Sequence, residues 1–455
     1  TPESKGGWGS DALKGLTGNA SYDMAQVEIT HADARKYRGS KGDGVFDRYD
    51  KGDGPEYVTL GKLGPNLGIS SVEQVLRLNN ILNDLGLDSA STGSAIAWAM
   101  ELYQRGIITQ ADTGGLELTW GNYDVVEKLL FMTARREGFG DTIADSARAV
   151  ANGKYPGEAL KYRMAVKGLF QSDPHDARIL KAFALGLAVA TRGMDHLRNR
   201  VTLEINARIN DDPGFKHSLY GAAVSAEPTS YDGKEYAVRR CEDTYAVGDA
   251  IGMCRFDTKL FNSPSLPDCK DFAEQLTALT GVAFTEEGLF QIGRKITALE
   301  RMINARLGLG AADDTLPQRW FNEPNTAGPF KGEKIDAGQF EAMKQRFYHI
   351  TGLDNDGLPE IEWRQKLLQV VTGYAITVDL PVLPQIRQRK IVIDQPVRNV
   401  NELRTRIRQL LPVAGYLDDI TLCVTVNDEI KLIGEGETLL QTGDHVKFVP
   451  QIAGG

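Results

Sequence analysis

Residues 70–370 carry the pattern that most limits the fold. Apolar residues recur there at three- and four-residue spacing, and segment after segment closes on glycine. In SSVEQVLRLNNILNDLG that spacing is kept by Val72, Val75, Leu76, Ile81, Leu82 and Leu85. Ser70 or Ser71 can cap its start, and Gly86 can end it in the left-handed conformation. GSAIAWAMELYQRG and YDVVEKLLFMTARREG repeat the logic. TEEGLFQIGRKITALERMINARLG predicts a longer helix, with Leu289, Ile292, Ile296, Leu299, Ile303 and Leu307 as its apolar stripe. This period lines one face of a helix and scrambles both faces of a strand, so the body must be mainly α.

Outside that stretch the character changes. Residues 1–55 are polar and glycine-rich and predict irregular structure. From residue 374, YAITVDLPVLPQIRQRKIVIDQPV reads as two strands interrupted by prolines, and NVNELRTRIRQLL as an amphipathic helix. ITLCVTVNDEIKL reads as a strand followed by a turn at Asn427-Asp428, and HVKFVPQI as a last strand. This β-β-α-β-β order predicts a small α+β domain of the ubiquitin-like, β-grasp type at residues 373–455. The expected division is an irregular segment at 1–55, helical domains at 56–200 and 201–372, and the β-grasp domain.

Composition excludes several function classes. Over 455 residues the formal net charge is -9, which gives no basic surface for nucleic acid or an anionic membrane. No apolar run reaches the length of a transmembrane helix, and no signal peptide is expected. Four scattered cysteines, Cys241, Cys254, Cys269 and Cys423, do not make a disulfide scaffold; a reducing, cytoplasmic location is expected.

Two phrases echo each other: NDLGLD, with Asn83, Gly86, Leu87 and Asp88, and DAIGMC, with Asp249, Gly252, Met253 and Cys254. Each offers a polar acceptor, a glycine that lets backbone approach a ligand, an apolar residue, and a polar group or thiol. Each also reads as an ordinary helix C-cap, and Cys254 by itself as a buried apolar residue.

The pair, with GDGPEYVTLGKLGPNLGI, ARREGFGDTIADS, MAVKGLFQSDPHDAR, ALGLAVATRGMDHLR and LPQRWFNEP, resembles the C-terminal two domains of the aldehyde:ferredoxin oxidoreductases. These are tungsten enzymes with a bis-pyranopterin cofactor. The resemblance implies two helical domains and pterin contacts from Asn83, Gly86, Leu87, Asp88, Asp249, Gly252 and Met253. It implies that Cys254 is a ligand of a [4Fe–4S] cluster, and that tungsten, or molybdenum, oxidises an aldehyde to a carboxylic acid. Electrons would pass to ferredoxin or an electron-transfer subunit. His196, in RGMDHLR, would lie near the metal and carry a proton; His175 is a second candidate, and either is also readable as a hydrogen-bonded structural histidine. Glu56 is a candidate acid/base group or a structural carboxylate at a helix start.

Several positions depart from the family pattern. Residues 1–53 lack the C-x-x-C-x-x-x-C run expected upstream of GPEY; Val58 replaces a glutamate; Arg77 stands near a family acidic position; Asn83 replaces an aspartate. Three readings follow: half of a split enzyme whose partner subunit supplies an N-terminal pterin domain and the other cluster thiolates, a fragment, or a non-catalytic scaffold. A relative that reduces aromatic acyl thioesters is a further alternative.

VTVND and LLQTGDHVKFVPQIAGG resemble the sulfur-carrier subunit of molybdopterin synthase. That resemblance implies a tail, Gly454 and Gly455, whose carboxylate is adenylated and converted to a thiocarboxylate, with an adenylating or pterin-synthesis enzyme as partner. The plain alternative is a loose terminus.

Overall fold

The computed structural model describes residues 55, 57–146, 149, 153–172, 176–201, 204, 213–258, 266–372, 374–380, 390–411, 422–431 and 438–450. Glu56, His175, Gly454 and Gly455 lie outside these, as does the expected irregular segment apart from Pro55. The chain divides into two units. One runs to Thr297 and takes in Gly308–Thr351; the other holds Ala298–Leu307 and everything from Gly352. No helix among the described residues is long and apolar enough to cross a membrane.

The first unit begins with α1 (Tyr57–Leu63), α2 (Val72–Leu85), α3 (Ser89–Gln104), α4 (Tyr123–Arg135) and α5 (Phe139–Ala144). Ser71 caps α2 by accepting from the Gln74 amide at 3.3 Å. The spacing expected for α2 buries Val75, Leu78, Ile81 and Leu82 in a core shared with Ile96, Trp98, Leu129 and Leu130. At about 1.5–3 kcal/mol per buried aliphatic side chain, those four residues of α2 contribute roughly 6–12 kcal/mol, far above its intrinsic helix preference. Trp98 donates its indole N–H to the Ala159 carbonyl at 2.9 Å. Val58 lies buried in α1.

A two-stranded hairpin follows, β1 (Ala165–Val166) and β2 (Leu169–Phe170). Its turn residues Lys167 and Gly168 both have positive φ, 48° and 85°, the geometry that suits the twist of a tight hairpin. The side chain of Lys167 is only 4% exposed; its ammonium meets Asp314 at 2.6 Å and the Ala188 carbonyl at 2.5 Å. Tyr348 donates to the same aspartate at 2.6 Å.

The unit continues with α6 (Lys181–Val189), α7 (Pro213–Tyr220), α8 (Lys234–Ile251), α9 (Cys269–Thr280), α10 (Glu286–Arg306, of which the residues from Ala298 on fall in the second unit), α11 (Gln318–Asn322) and α12 (Ala337–Thr351). Helix α10 differs from expectation in which face it buries. Leu289, Phe290, Gly293, Thr297, Ala298 and Arg301 turn inward, while Ile292 (38%), Ile303 (58%) and Leu307 (74%) are exposed. The cause is close packing on α8: a Cβ on Gly293 would stand 2.3 Å from the Asp243 carbonyl. Small residues let two backbones approach, and that contact outweighs the larger apolar stripe.

The second unit holds α13 (Ile361–Thr372), β3 (Ile376–Asp379), β4 (Lys390–Ile393), α14 (Val400–Leu410), β5 (Leu422–Val426), β6 (Glu429–Lys431) and β7 (His445–Pro450). The five strands are ordered β4-β3-β7-β5-β6; β3 and β7 run parallel, and the other neighbours antiparallel. Ile376, Val378, Val424, Val426, Val446 and Phe448 share a core with Leu403 and Ile407 of α14. The residues after the turn form a strand of their own, β6, so the order gains one strand. Asn427 and Asp428, at φ 52° and 68°, reverse the chain tightly enough for β6 to pair straight back on β5.

Candidate functional site

Both echoed phrases sit at the C-terminal end of a helix and adopt one backbone geometry. At the end of α2, Gly86 has φ 67° and ψ 30°, its amide donates to the Asn83 carbonyl, and the Leu87 amide donates to the Leu82 carbonyl at 3.1 Å. At the end of α8, Gly252 has φ 78° and ψ 23°, its amide donates to the Asp249 carbonyl, and the Met253 amide donates to the Gly248 carbonyl at 2.8 Å. These paired backward bonds satisfy the last helical carbonyls and require a residue tolerant of positive φ. A Cβ placed on either glycine meets nothing within 4 Å. Each loop therefore presents open space over a bare backbone, flanked by Leu87 or Met253.

The polar heads of the two loops are anchored differently. The Asn83 amide group donates to Asn79 Oδ1 at 3.5 Å. Asp249 Oδ2 accepts from Arg198 at 2.9 Å and from Arg255 at 2.5 Å. Arg255 is buried and also donates to the Leu197 carbonyl at 2.8 Å and the Tyr245 carbonyl at 2.6 Å. Burial pulls its guanidinium below the usual range, and Asp249 opposes that pull. At the fourth position Asp88 caps α3, accepting from the Ser91 amide at 2.6 Å, so it has a structural role whatever else it does. Cys254 is an exposed thiol, not the buried apolar residue that its composition class favours.

His196 opens a single 3-10 turn, His196–Arg198, capped by Asp195, which accepts from the Leu197 amide at 2.8 Å. Its ring is buried and stacks on Phe183 of α6, with centroids 6.4 Å apart and planes 23° apart. Nδ1 lies 3.4 Å from Ser172 Oγ and 4.0 Å from Asp195 Oδ1. This turn also carries Arg198, so His196 and the DAIGMC loop form one assembly. The NDLGLD loop joins it indirectly. α3, which Asp88 caps, donates from Ser94 Oγ to the Gln171 carbonyl, next to the Ser172 that meets His196.

The sequence patterns do not single out Arg198, Arg255, Ser172 or Phe183. Two of them are visible by position: Arg255 directly follows Cys254, and Arg198 closes RGMDHLR. The bonds Arg198–Asp249 and Arg255–Leu197 join segments more than fifty residues apart, which no local pattern encodes.

The arrangement fits a heterocycle held at two bare-backbone loops, each with an acceptor for ring N–H groups. It does not by itself fit an iron–sulfur cluster. No group of three or more His, Cys, Asp or Glu side chains among the described residues can hold a metal ion. Burial pushes the Cys241 and Cys269 thiols up to about 12, so both stay protonated and make poor ligands. Arg77 forms an ion pair with Glu127 at 3.2 Å, and Tyr123 donates to the same carboxylate.

The family model for aldehyde ferredoxin oxidoreductase, domains 2 and 3, matches residues 29–368. The chain is 34% identical over 307 residues to a tungsten-containing aldehyde ferredoxin oxidoreductase of Pyrococcus furiosus, covering 67% of this chain and 47% of that protein. It is 30% identical over 324 residues to an aliphatic sulfonate oxidoreductase, WOR-like subunit, of the same organism, covering 69% and 46%. The chain thus spans about half the length of the curated relatives it matches. Among solved structures it is similar to the active site complex BamBC of benzoyl coenzyme A reductase, with TM-score 0.52 and 20% identity over 66% of this chain and 46% of that one, a likeness of fold.

Proposed function

The chain belongs to the aldehyde ferredoxin oxidoreductase family, and on that premise we propose that it holds the cofactor of a tungsten, or molybdenum, bis-pyranopterin oxidoreductase acting on aldehydes. The observation that carries the reading is the pair of loops with matching backbones, open over Gly86 and Gly252. Asn83 and Asp249 would accept from pterin N–H groups, and Leu87 and Met253 would lie against the ring system. When bound, the metal supplies Lewis acidity and takes up the electrons as the aldehyde gains a water-derived oxygen. His196 would hold and pass on the proton released, its ring kept in place by Phe183 and Ser172.

Cys254 would be one cluster ligand, with the remaining thiolates coming from a partner subunit. Ferredoxin or an electron-transfer subunit would be the acceptor. The helical domains are proposed at 56–200 and 201–372. Residues 373–455 are read as a β-grasp, sulfur-carrier-like domain. A central parallel β3–β7 pair and a helix between β4 and β5 support that reading. Gly454 and Gly455 would then be open to an adenylating or pterin-synthesis enzyme.

A second reading, a scaffold or sulfur carrier with a degenerate oxidoreductase body, is favoured by the lack of a metal-holding group among the described residues. Metal analysis of the purified complex separates the two. Stoichiometric tungsten or molybdenum with a fluorescent oxidised pterin supports the enzyme; neither metal nor pterin sinks it. Intact mass reads the tail: a gain equal to sulfur in place of oxygen marks a thiocarboxylate.

A further inference from the structure

We propose that Arg198 and Arg255 are positioning residues that lock one oxygen of Asp249 and thereby aim its other oxygen at the bound heterocycle. This rests on the pterin reading above. Both guanidinium bonds end on Oδ2. Oδ1 takes no hydrogen bond among the described residues, and the Asp249 side chain is 49% exposed. A carboxylate on a helix end ordinarily swings between rotamers; two charge-assisted bonds to one oxygen leave it a single orientation. Arg255 adds a second effect. Its planar fork grips the Tyr245 carbonyl of α8 and the Leu197 carbonyl of the His196 turn at the same time. Gly248 leaves it room, since a Cβ there would meet Arg255 Nη1 at 3.2 Å. One side chain therefore sets the register between the acceptor loop and the proton-handling turn. In the NDLGLD loop, Asn83 rests on one long carboxamide contact to Asn79.

The test uses the purified complex. R198Q removes one member of the clamp while Arg255 keeps its hold on Asp249 Oδ2; the Arg198 side chain is 12% exposed, so the melting temperature should fall by no more than about 5 °C. Pterin should nevertheless be lost about tenfold faster on dialysis, the worth of one charge-assisted hydrogen bond of about 1.4 kcal/mol. R198K should restore retention, and R255K, which cannot span three acceptors, should not. Adding R198Q to D249N should change nothing further. Unchanged retention in R198Q, or full additivity with D249N, overturns the proposal. If wild type holds no pterin, the cofactor reading fails, and the clamp is then read by deuterium exchange. Amides of 249–258 should exchange faster in R255Q than in wild type, and equal exchange overturns the clamp itself.

Discussion

Replacing Lys234 by methionine tests how the site is held from behind. Lys234 is fully buried, and its ammonium donates to Glu204 Oε1 at 2.7 Å and to the Glu227 carbonyl at 2.9 Å. Glu204 also accepts from the Ala182 and Phe183 amides at the start of α6, the helix whose Phe183 stacks on His196. Removing the cation strands a buried carboxylate. The expected cost is about 3–5 kcal/mol, or a fall of roughly 10 °C in melting temperature. Burial is the main force raising the Glu204 carboxyl above 4.5, and Lys234 is the main force opposing it. In K234M the carboxyl therefore rises further and takes up a proton. Stability linked to a raised carboxyl is present below the unfolded value and is lost as pH climbs through the folded one. The deficit against wild type should thus widen as pH rises above 4.5, the ordinary glutamate value. Urea melts across that range measure it. The double variant E204Q/K234M, which has no buried charge, should recover more than half of the loss. A deficit under about 1 kcal/mol, one that ignores pH, or a double variant as unstable as K234M would refute the reasoning.

Other expectations concern single positions. G293A forces a Cβ against the Asp243 carbonyl and should cost at least about 1–3 kcal/mol in denaturant melts, since neither helix can yield freely. Asp243 is pushed from 3.8 to about 6, chiefly by burial and against the pull of Arg294 and Arg239. Stability should therefore fall by up to about 3 kcal/mol as pH rises through 4 to 6, and D243N should flatten that slope. H196N should lower turnover of the metal-loaded complex about a hundredfold or more with unchanged metal and pterin content. If turnover is equal, His196 does not move the proton.

Much of this architecture is legible in the order of the amino acids. The α2 segment joins a period, a serine and a glycine, and the fold uses all three: Ser71 caps, Gly86 turns left-handed, and Val75, Ile81 and Leu82 are buried. Asn427-Asp428 marks its hairpin because few pairs tolerate positive φ twice. Helix α10 departs from its pattern in face rather than in existence. Apolar periodicity ranks residues by size and hydrophobicity, whereas the helix packs through Gly293, where the lack of a side chain is the useful property. The two loops are legible as a repeated phrase. Their anchoring is not, because Arg198 reaches Asp249, and Arg255 reaches the Leu197 carbonyl, only once distant segments meet.

Lys167 shows how two demands on one residue can narrow what evolution tolerates. Its backbone, at φ 48°, suits asparagine or glycine, and either would relax the turn. Its ammonium, however, serves Asp314 and the Ala188 carbonyl in a place water does not reach. Asparagine or glycine would improve the turn but take the cation away from Asp314 and the Ala188 carbonyl. Neither common exchange is open, so the position is expected to drift little among sequences that keep Asp314, and to change freely only where Asp314 has changed first.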